Sequence, residues 1–440
     1  METETLIDPV QGELDVPPWS LASRVAFRFC FVYFGLLCLT TQIIARLFSY
    51  NSIPEPATLR PLRPLIFWTA AHIFHVRATL GFENISGSHD DMFGWVLAFC
   101  LLVSSALATV IWSILDRRRE HYVKLHKWFR LFIRFSLAAQ MLNYGVFKVI
   151  PVQMPAPYLS RLFEQFGDFS PMGILWSSIG AFPAYEIFCG CAEVLGGLLV
   201  IIPRTATLGA LVCLAEMIQI FALNMTYDVP VKLFSFHLIL LSLFLLAPDL
   251  PRLINFFLLG RTTALSVQPQ LFGTRRANRI ALTIQILFGL WLLGMNAHGN
   301  RQAYSMLVGN RPKSPLYGIW EVDQQTIDGQ LRSPLLNDYG RWRRVIFDSP
   351  GRVVFQRIDD SFAGHGVTIN VKDKTLVLTD YVDKNWKANF TFAREAPGRL
   401  TLDGNLDGHE THLQLRLVDL SKVALVNRGF HWIQEHPFNR

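Results

Sequence analysis

Long apolar runs fill roughly the first two-thirds of the chain, and short alternating segments fill the rest. The runs at residues 25–45, 92–115, 129–150, 178–202, 206–226, 231–247 and 279–295 are near the length of about 20 apolar residues that a helix needs to cross a hydrocarbon core. PLIFWTAAHIFHV, residues 64–76, is shorter and suits an interfacial or re-entrant helix. The pattern predicts an α-helical polytopic membrane bundle of seven spans, or eight if the short segment crosses. From residue 314 the period changes to two. Segments such as YGIWEV, RVVFQRI, HGVTINV, KTLVLTD and HLQLRLV, separated by SPG, KDK, APG and DG, predict a C-terminal antiparallel β-barrel or sandwich. A barrel of about eight strands would enclose side chains or one small ligand.

This pattern divides the chain into an acidic tail (1–22), front spans (23–128), a four-helix core (129–250), a basic linker (251–278), a last span (279–295) and the β domain (314–440). A content of 51% hydrophobic and 17% charged residues argues against a single soluble core. The tail carries five acids and no Lys or Arg, the wrong charge for a secretory signal, so the first span is expected to stay in the mature protein. Residues 314–440 hold 16 basic and 16 acidic residues, so the net +7 belongs to residues 1–313. Basic residues that flank spans report orientation rather than nucleic-acid binding, and no nucleic-acid partner is expected.

Residues 116–130 carry six Lys or Arg, and Arg252, Arg261, Arg275, Arg276 and Arg279 follow the core. The positive-inside rule puts both segments on one side, and the intervening spans, even in number, agree. Arg204, in the link at 203–205, falls on that side too. The β domain then lies on the opposite, extracytoplasmic side of a bacterial inner membrane.

Charged groups at a helix centre cost about 2.5–3.5 kcal/mol each and usually face the bundle interior. The run 129–150 contains Gln140, Asn143, Tyr144 and Lys148. Glu186, Gly190, Glu193 and Gly197 recur at i, i+4, i+7 and i+11, one face of a helix that is both small and acidic. Glu216, Gln219 and Asn224 follow on the next run, then Asp228, Lys232 and His237. Together they suggest a polar pocket open to the outer side. Asp228 before Val229-Pro230 also has the look of a helix N-cap, and Lys232 could snorkel to the interface.

The six cysteines lie in or beside spans, and Cys189-x-Cys191 points its thiols about 200° apart, so buried apolar thiols are expected rather than a relay. There is no nucleotide, serine-hydrolase or zincin motif. His72 and His75 are i, i+3 but lack a neighbouring carboxylate, and no metal site is assigned. Gly318-Ile319-Trp320 resembles the opening of lipocalin-like barrels, in which a Trp plugs one end; the ending RGFHWIQEHPFNR would seal the barrel or lie on the membrane surface.

RFSLAAQMLNYGVFKVIP, AEVLGGLLVIIPRTATLGALVCLAEM and HLILLSLFLLAPD resemble the DoxX family of small bacterial membrane proteins over about residues 129–250. Gly145, Lys148, Glu193, Gly196 and Gly197 match its most recognisable positions. The resemblance implies a four-helix membrane core and a link to membrane oxidoreductase assemblies and quinones. The expected function is an outer-leaflet pocket for a quinone or similar amphiphile in a membrane redox system. Glu193 and His237 would act as proton-exchanging catalytic groups; Lys148, Glu186, Gln219, Asn224, Asp228 and Lys232 would contact the ligand. Membrane lipids and an envelope redox or assembly protein are the expected partners. The alternative is a lipid carrier or envelope assembly factor acting through the β domain.

Overall fold

A computed structural model describes residues 18–50, 52–60, 62–76, 90–263, 270–383 and 386–439. Most of the acidic tail and part of the basic linker lie outside them. The chain forms two units: residues 1–153 with 184–302, and residues 154–183 with 303–440.

The first unit is helical, with α1 (Leu21–Thr40), α2 (Gln42–Phe48), α3 (Leu62–His72), α4 (Met92–Leu115) and α5 (Val123–Val149) before the crossing into the second unit. That crossing carries α6 (Pro171–Ala181). The helical unit resumes with α7 (Pro183–Ile201), α8 (Ala206–Thr226), α9 (Lys232–Leu246), α10 (Leu250–Phe257) and α11 (Arg275–Tyr304). Among the described residues, six helices are long and apolar enough to cross a membrane: Leu21–Thr40, Met92–Leu115, Pro183–Ile201, Pro203–Thr226, Lys232–Phe257 and Arg275–Gly309. They are compatible with a multi-pass membrane protein. α5 carries more charge than these six and holds fifteen buried residues.

Two expected spans are broken, each for a local reason. The run 25–45 stops at Thr41, whose backbone is extended. The hydroxyls of Thr40 and Thr41 donate to Leu36 O (2.8 Å) and Leu37 O (2.6 Å), drawing hydrogen bonding back onto the preceding turn. The run 178–202 is interrupted at Phe182, because a residue before proline is driven out of the α region; α7 starts at Pro183, where the missing N–H costs nothing.

Residues from the three basic segments (Lys127 and Arg130, Arg204, and Gln270 with Asn278) line one cavity of the helical unit. Lys127 Nζ donates to Gln270 O (2.6 Å), Trp128 packs edge-on against Phe272, and Arg130 donates to Leu245 O (3.0 Å). Arg28, only 2% exposed, ties α1 to Tyr122, Ser113 and the Asp116 carbonyl, each at 2.9 Å.

The second unit is a closed barrel, which decides between the two expected β architectures. Its strands are β1 (Gly318–Ile327), β3 (Trp342–Phe347), β4 (Arg352–Arg357), β5 (Phe362–Asn370), β6 (Thr375–Thr379), β7 (Lys387–Ala396), β8 (Arg399–Leu406) and β9 (His409–Leu417). They run antiparallel in sequence order, and β9 pairs back onto β1 (Trp320 with Leu417, Ile327 with Thr411). The two-residue β2 (Gln330–Leu331) is a flap on β1. Alternation puts Trp320, Val322, Val345, Phe347, Phe355, Val367, Phe390 and Leu402 into one packed interior. Trp320 is buried there, with its indole N–H donating to Leu316 O (2.9 Å). The C-terminal aromatics do not seal the barrel: Phe430 and Trp432 are 76% and 91% exposed.

Residues 154–183 belong to this unit and correct the expected boundary at 314. Leu159 is buried with Ile319, Ile346 and Val354 on the barrel exterior, and its N–H donates to Asp348 Oδ2 (2.9 Å). Gln356 Nε2 reaches Phe163 O (3.3 Å), and the Arg344 guanidinium lies 4.2 Å from the Phe163 ring. Burying apolar side chains such as Leu159, Leu162 and Phe163 is worth about 1.5–3 kcal/mol each when complete. A fragment of residues 314–440 is therefore expected to be about 3 kcal/mol less stable than one with residues 154–170 attached by a flexible linker. Urea titration of both reads this directly, and equal midpoints would mean that the strap adds nothing.

Candidate functional site

Small residues bring α5 and α7 together. A Cβ on Gly190 would stand 2.6 Å from Gly145 O, 2.6 Å from Val149 N and 2.7 Å from Lys148 Cβ. One on Gly145 would stand 2.8 Å from Val194 N. The backbones therefore touch where only glycine fits. Two turns beyond Gly190 on α7, Gly197 meets Met141 and Leu142, and Gly196 meets Cys213 of α8. The whole face Glu186, Gly190, Glu193 and Gly197 is buried.

This contact sets Lys148 against Glu193. Lys148 Nζ donates to Glu193 Oε1 at 2.6 Å, and the two side chains are 10% and 0% exposed. The Lys148 ammonium lies 6.0 Å from the Tyr144 ring centre, and the Tyr144 hydroxyl accepts from Gln42 Nε2 (3.3 Å), the first residue after the break at Thr41. The resulting polar track runs from α2 through α5 to α7. Two groups in this region keep hydrogen-bonding capacity. Glu193 Oε2 is buried without a hydrogen-bond partner among the described residues, and so are both amide atoms of Gln140, a fully buried residue of α5.

The other expected site residues lie elsewhere. His237 is buried on α9; its Nδ1 bonds Leu233 O (2.7 Å) and its Nε2 bonds Tyr33 Oη (2.7 Å). A carbonyl only accepts, so Nδ1 carries the proton and, in the neutral ring, Nε2 accepts from Tyr33. Asn224 Nδ2 donates to Val231 O (3.3 Å) and Ser235 Oγ (3.1 Å), closing the α8–α9 turn. Gln219 is exposed on α8, pointing away from the bundle interior, and Glu186 is buried in the first turn of α7.

Asp228 does not cap α9. Its φ is +51°, its side chain is 81% exposed, and it accepts from Lys232 Nζ at 2.8 Å in a surface pair. The cap comes from Asp90, whose carboxylate takes the N–H groups of Lys232 (2.6 Å) and Leu233 (2.7 Å). Of the residues expected to share one pocket, the structure brings Lys148 and Glu193 together. Asn224, the Asp228–Lys232 pair and His237 occupy three further local settings.

Sequence reasoning passed over Asp90, Tyr33, Gln42 and Arg134. Arg134 is 8% exposed and donates from Nε to Val200 O (2.9 Å) and from Nη2 to Ile201 O, holding the last carbonyls of α7. Its signal was an arginine between apolar neighbours in a membrane-length run, one turn deeper than Arg130. In the barrel, His365 stacks on Trp386 (5.1 Å), meets Phe355 edge-on (5.7 Å) and sets Nδ1 3.5 Å from Asp380 Oδ2. Burial holds that imidazole below its usual range, with the Asp380 carboxylate acting the other way.

No family model matches the chain, and no solved structure matches it. It is 30% identical over 138 residues to "Uncharacterized protein YwoB" of Bacillus subtilis (strain 168), in an alignment that takes in 29% of this chain and 79% of that protein. The chain therefore belongs to the family of YwoB.

Proposed function

We propose that the helical unit binds the polar head of a quinone-like amphiphile at the Lys148–Glu193 pair, as a component of a membrane redox system. The observation that carries this reading is the geometry of Glu193. One carboxylate oxygen is taken by Lys148, and the other is buried with its acceptor capacity unused. Leaving such an atom unsatisfied costs about 1–3 kcal/mol or more, which a ligand donor recovers. A quinol hydroxyl supplies that donor, and the remaining N–H groups of Lys148 suit a quinone carbonyl or phenolate oxygen. Tyr144 adds an aromatic face beside the ammonium.

His237 has a structural role outside the ligand site in this reading, because its ring nitrogens bond Leu233 O and Tyr33 within the bundle. The likeness to DoxX proteins over residues 129–250 is consistent with a redox setting. The clustering of basic segments and a bacterial relative favour a cytoplasmic membrane with the barrel on its outer side. The alternative, a carrier that holds lipid in the barrel lumen, meets an interior packed with aromatic and aliphatic side chains.

The test is native mass spectrometry with lipid extraction on protein purified in mild detergent. Wild type and His237→Ala are expected to carry a stoichiometric isoprenoid quinone, and Glu193→Gln to lose most of it while eluting as a folded species. Equal quinone in wild type and Glu193→Gln, or bulk phospholipid alone in all three, would reject the site.

A further inference from the structure

We propose that the helical unit holds one anionic phospholipid with a hydroxylated head group in the cationic cavity at the basic end of α5. The cavity measures about 340 Å³, and its lining includes Lys127, Arg130, Arg134, Arg204, Asn278 and Gln285. It is separate from the Lys148–Glu193 pair. Arg134 and Lys148 are fourteen positions apart on one helix, a rise of about 21 Å.

Among the described residues, four cations and no carboxylate line this space. Asp249 is not part of the lining; its Oδ2 lies 3.9 Å from Arg130 Nη2, and it is already engaged by Arg252 (3.1 Å) and Thr207 (2.8 Å). Among the described residues, Lys127, Arg134 and Arg204 form no ion pair. Among the described residues, Arg130 Nε is buried without a hydrogen-bond partner, a donor suited to a phosphate oxygen. Gln285 narrows the choice of anion. It is 6% exposed, its Nε2 donates to Ala281 O (3.1 Å), and its Oε1 has no hydrogen-bond partner among the described residues. A phosphate oxygen would repel that acceptor, whereas a head-group hydroxyl satisfies it.

A phosphate with hydroxyls could belong to a lipid or to a free sugar or glycerol phosphate. The lining favours the lipid. Ile202 and Leu282 also line the cavity and are 40% and 38% exposed, and Ile286 follows one turn later on α11 at 39%. Acyl chains would lie against such side chains, and basic cavities between membrane helices are recognised settings for anionic head groups.

The experiment uses the full chain in nanodiscs of equal phosphatidylglycerol and phosphatidylcholine, read by native mass spectrometry after gentle release. One phosphatidylglycerol is expected to stay with wild type. Arg204→Gln, at an exposed residue, should weaken retention about fivefold, and Lys127→Gln/Arg204→Gln about 25-fold, at roughly fivefold per cation. Gln285→Leu should reduce the preference for phosphatidylglycerol over phosphatidic acid, which lacks the hydroxyls. Inorganic phosphate or glycerol phosphate at about 1 mM should not displace the lipid, given the added acyl contact. Phosphatidylcholine retained equally, unchanged retention in both charge variants, or displacement by free phosphate would each overturn the proposal.

Discussion

Gly190→Ala is expected to destabilise the helical unit by about 2–3 kcal/mol, towards the upper end of the usual overpacking range. The added methyl would lie 2.6 Å from the carbonyl oxygen of Gly145 and the nitrogen of Val149, both backbone atoms of α5. A flexible side chain could turn aside, but a helix backbone cannot. The helices must separate, and the Lys148–Glu193 bond, anchored on the same two turns, lengthens with them. Gly294→Ala on α11 is the control, since nothing lies within 4 Å of its would-be Cβ. It should be neutral, or stabilising by up to about 1 kcal/mol through helix propensity. Thermal melts followed by size-exclusion in detergent compare the two, and equal melts would show that α5 and α7 have room to spare.

The second large effect comes from dividing the ion pair. Lys148→Met alone or Glu193→Leu alone is expected to cost about 3–5 kcal/mol, because each strands a buried charge. The double variant should recover most of that loss, since apolar groups of similar volume need no partner. A double-mutant cycle read by denaturant titration should therefore give a strongly non-additive result. Additive losses would mean that the two side chains do not depend on each other. The double variant also separates stability from function: it should fold and yet retain no quinone.

Features carried by local period were legible in the sequence. The alternation in KTLVLTD and HLQLRLV located β6 and β9, and the i, i+4, i+7, i+11 spacing of Glu186, Gly190, Glu193 and Gly197 marked the buried face of α7. Features set by distant partners were not legible. Barrel closure depends on β1 meeting β9, strands about 90 residues apart with no local signature. The cap of α9 was sought in Asp228 because capping rules are local, but Asp90 supplies it across 142 positions. Gln219 shares its helix with the buried Asn224, and their spacing alone did not say which one faced inward. The strap at 154–170 has neither helical nor strand period, so its apolar residues gave no sign that they cover the outside of a barrel.

The long reach of these contacts also has a meaning in time. Tyr33 and His237 are 204 residues apart, so at about 5–20 residues per second Tyr33 is made some 10–40 s before its partner leaves the ribosome. Asp90 likewise precedes the helix it caps by 142 residues. During that interval the early helices hold polar groups whose final partners do not yet exist. Synthesis order thus makes α9 the element that completes hydrogen bonds prepared by α1 and by Asp90, two residues before α4. A chain stalled before residue 232 would present those groups to whatever insertion machinery or lipid surrounds it.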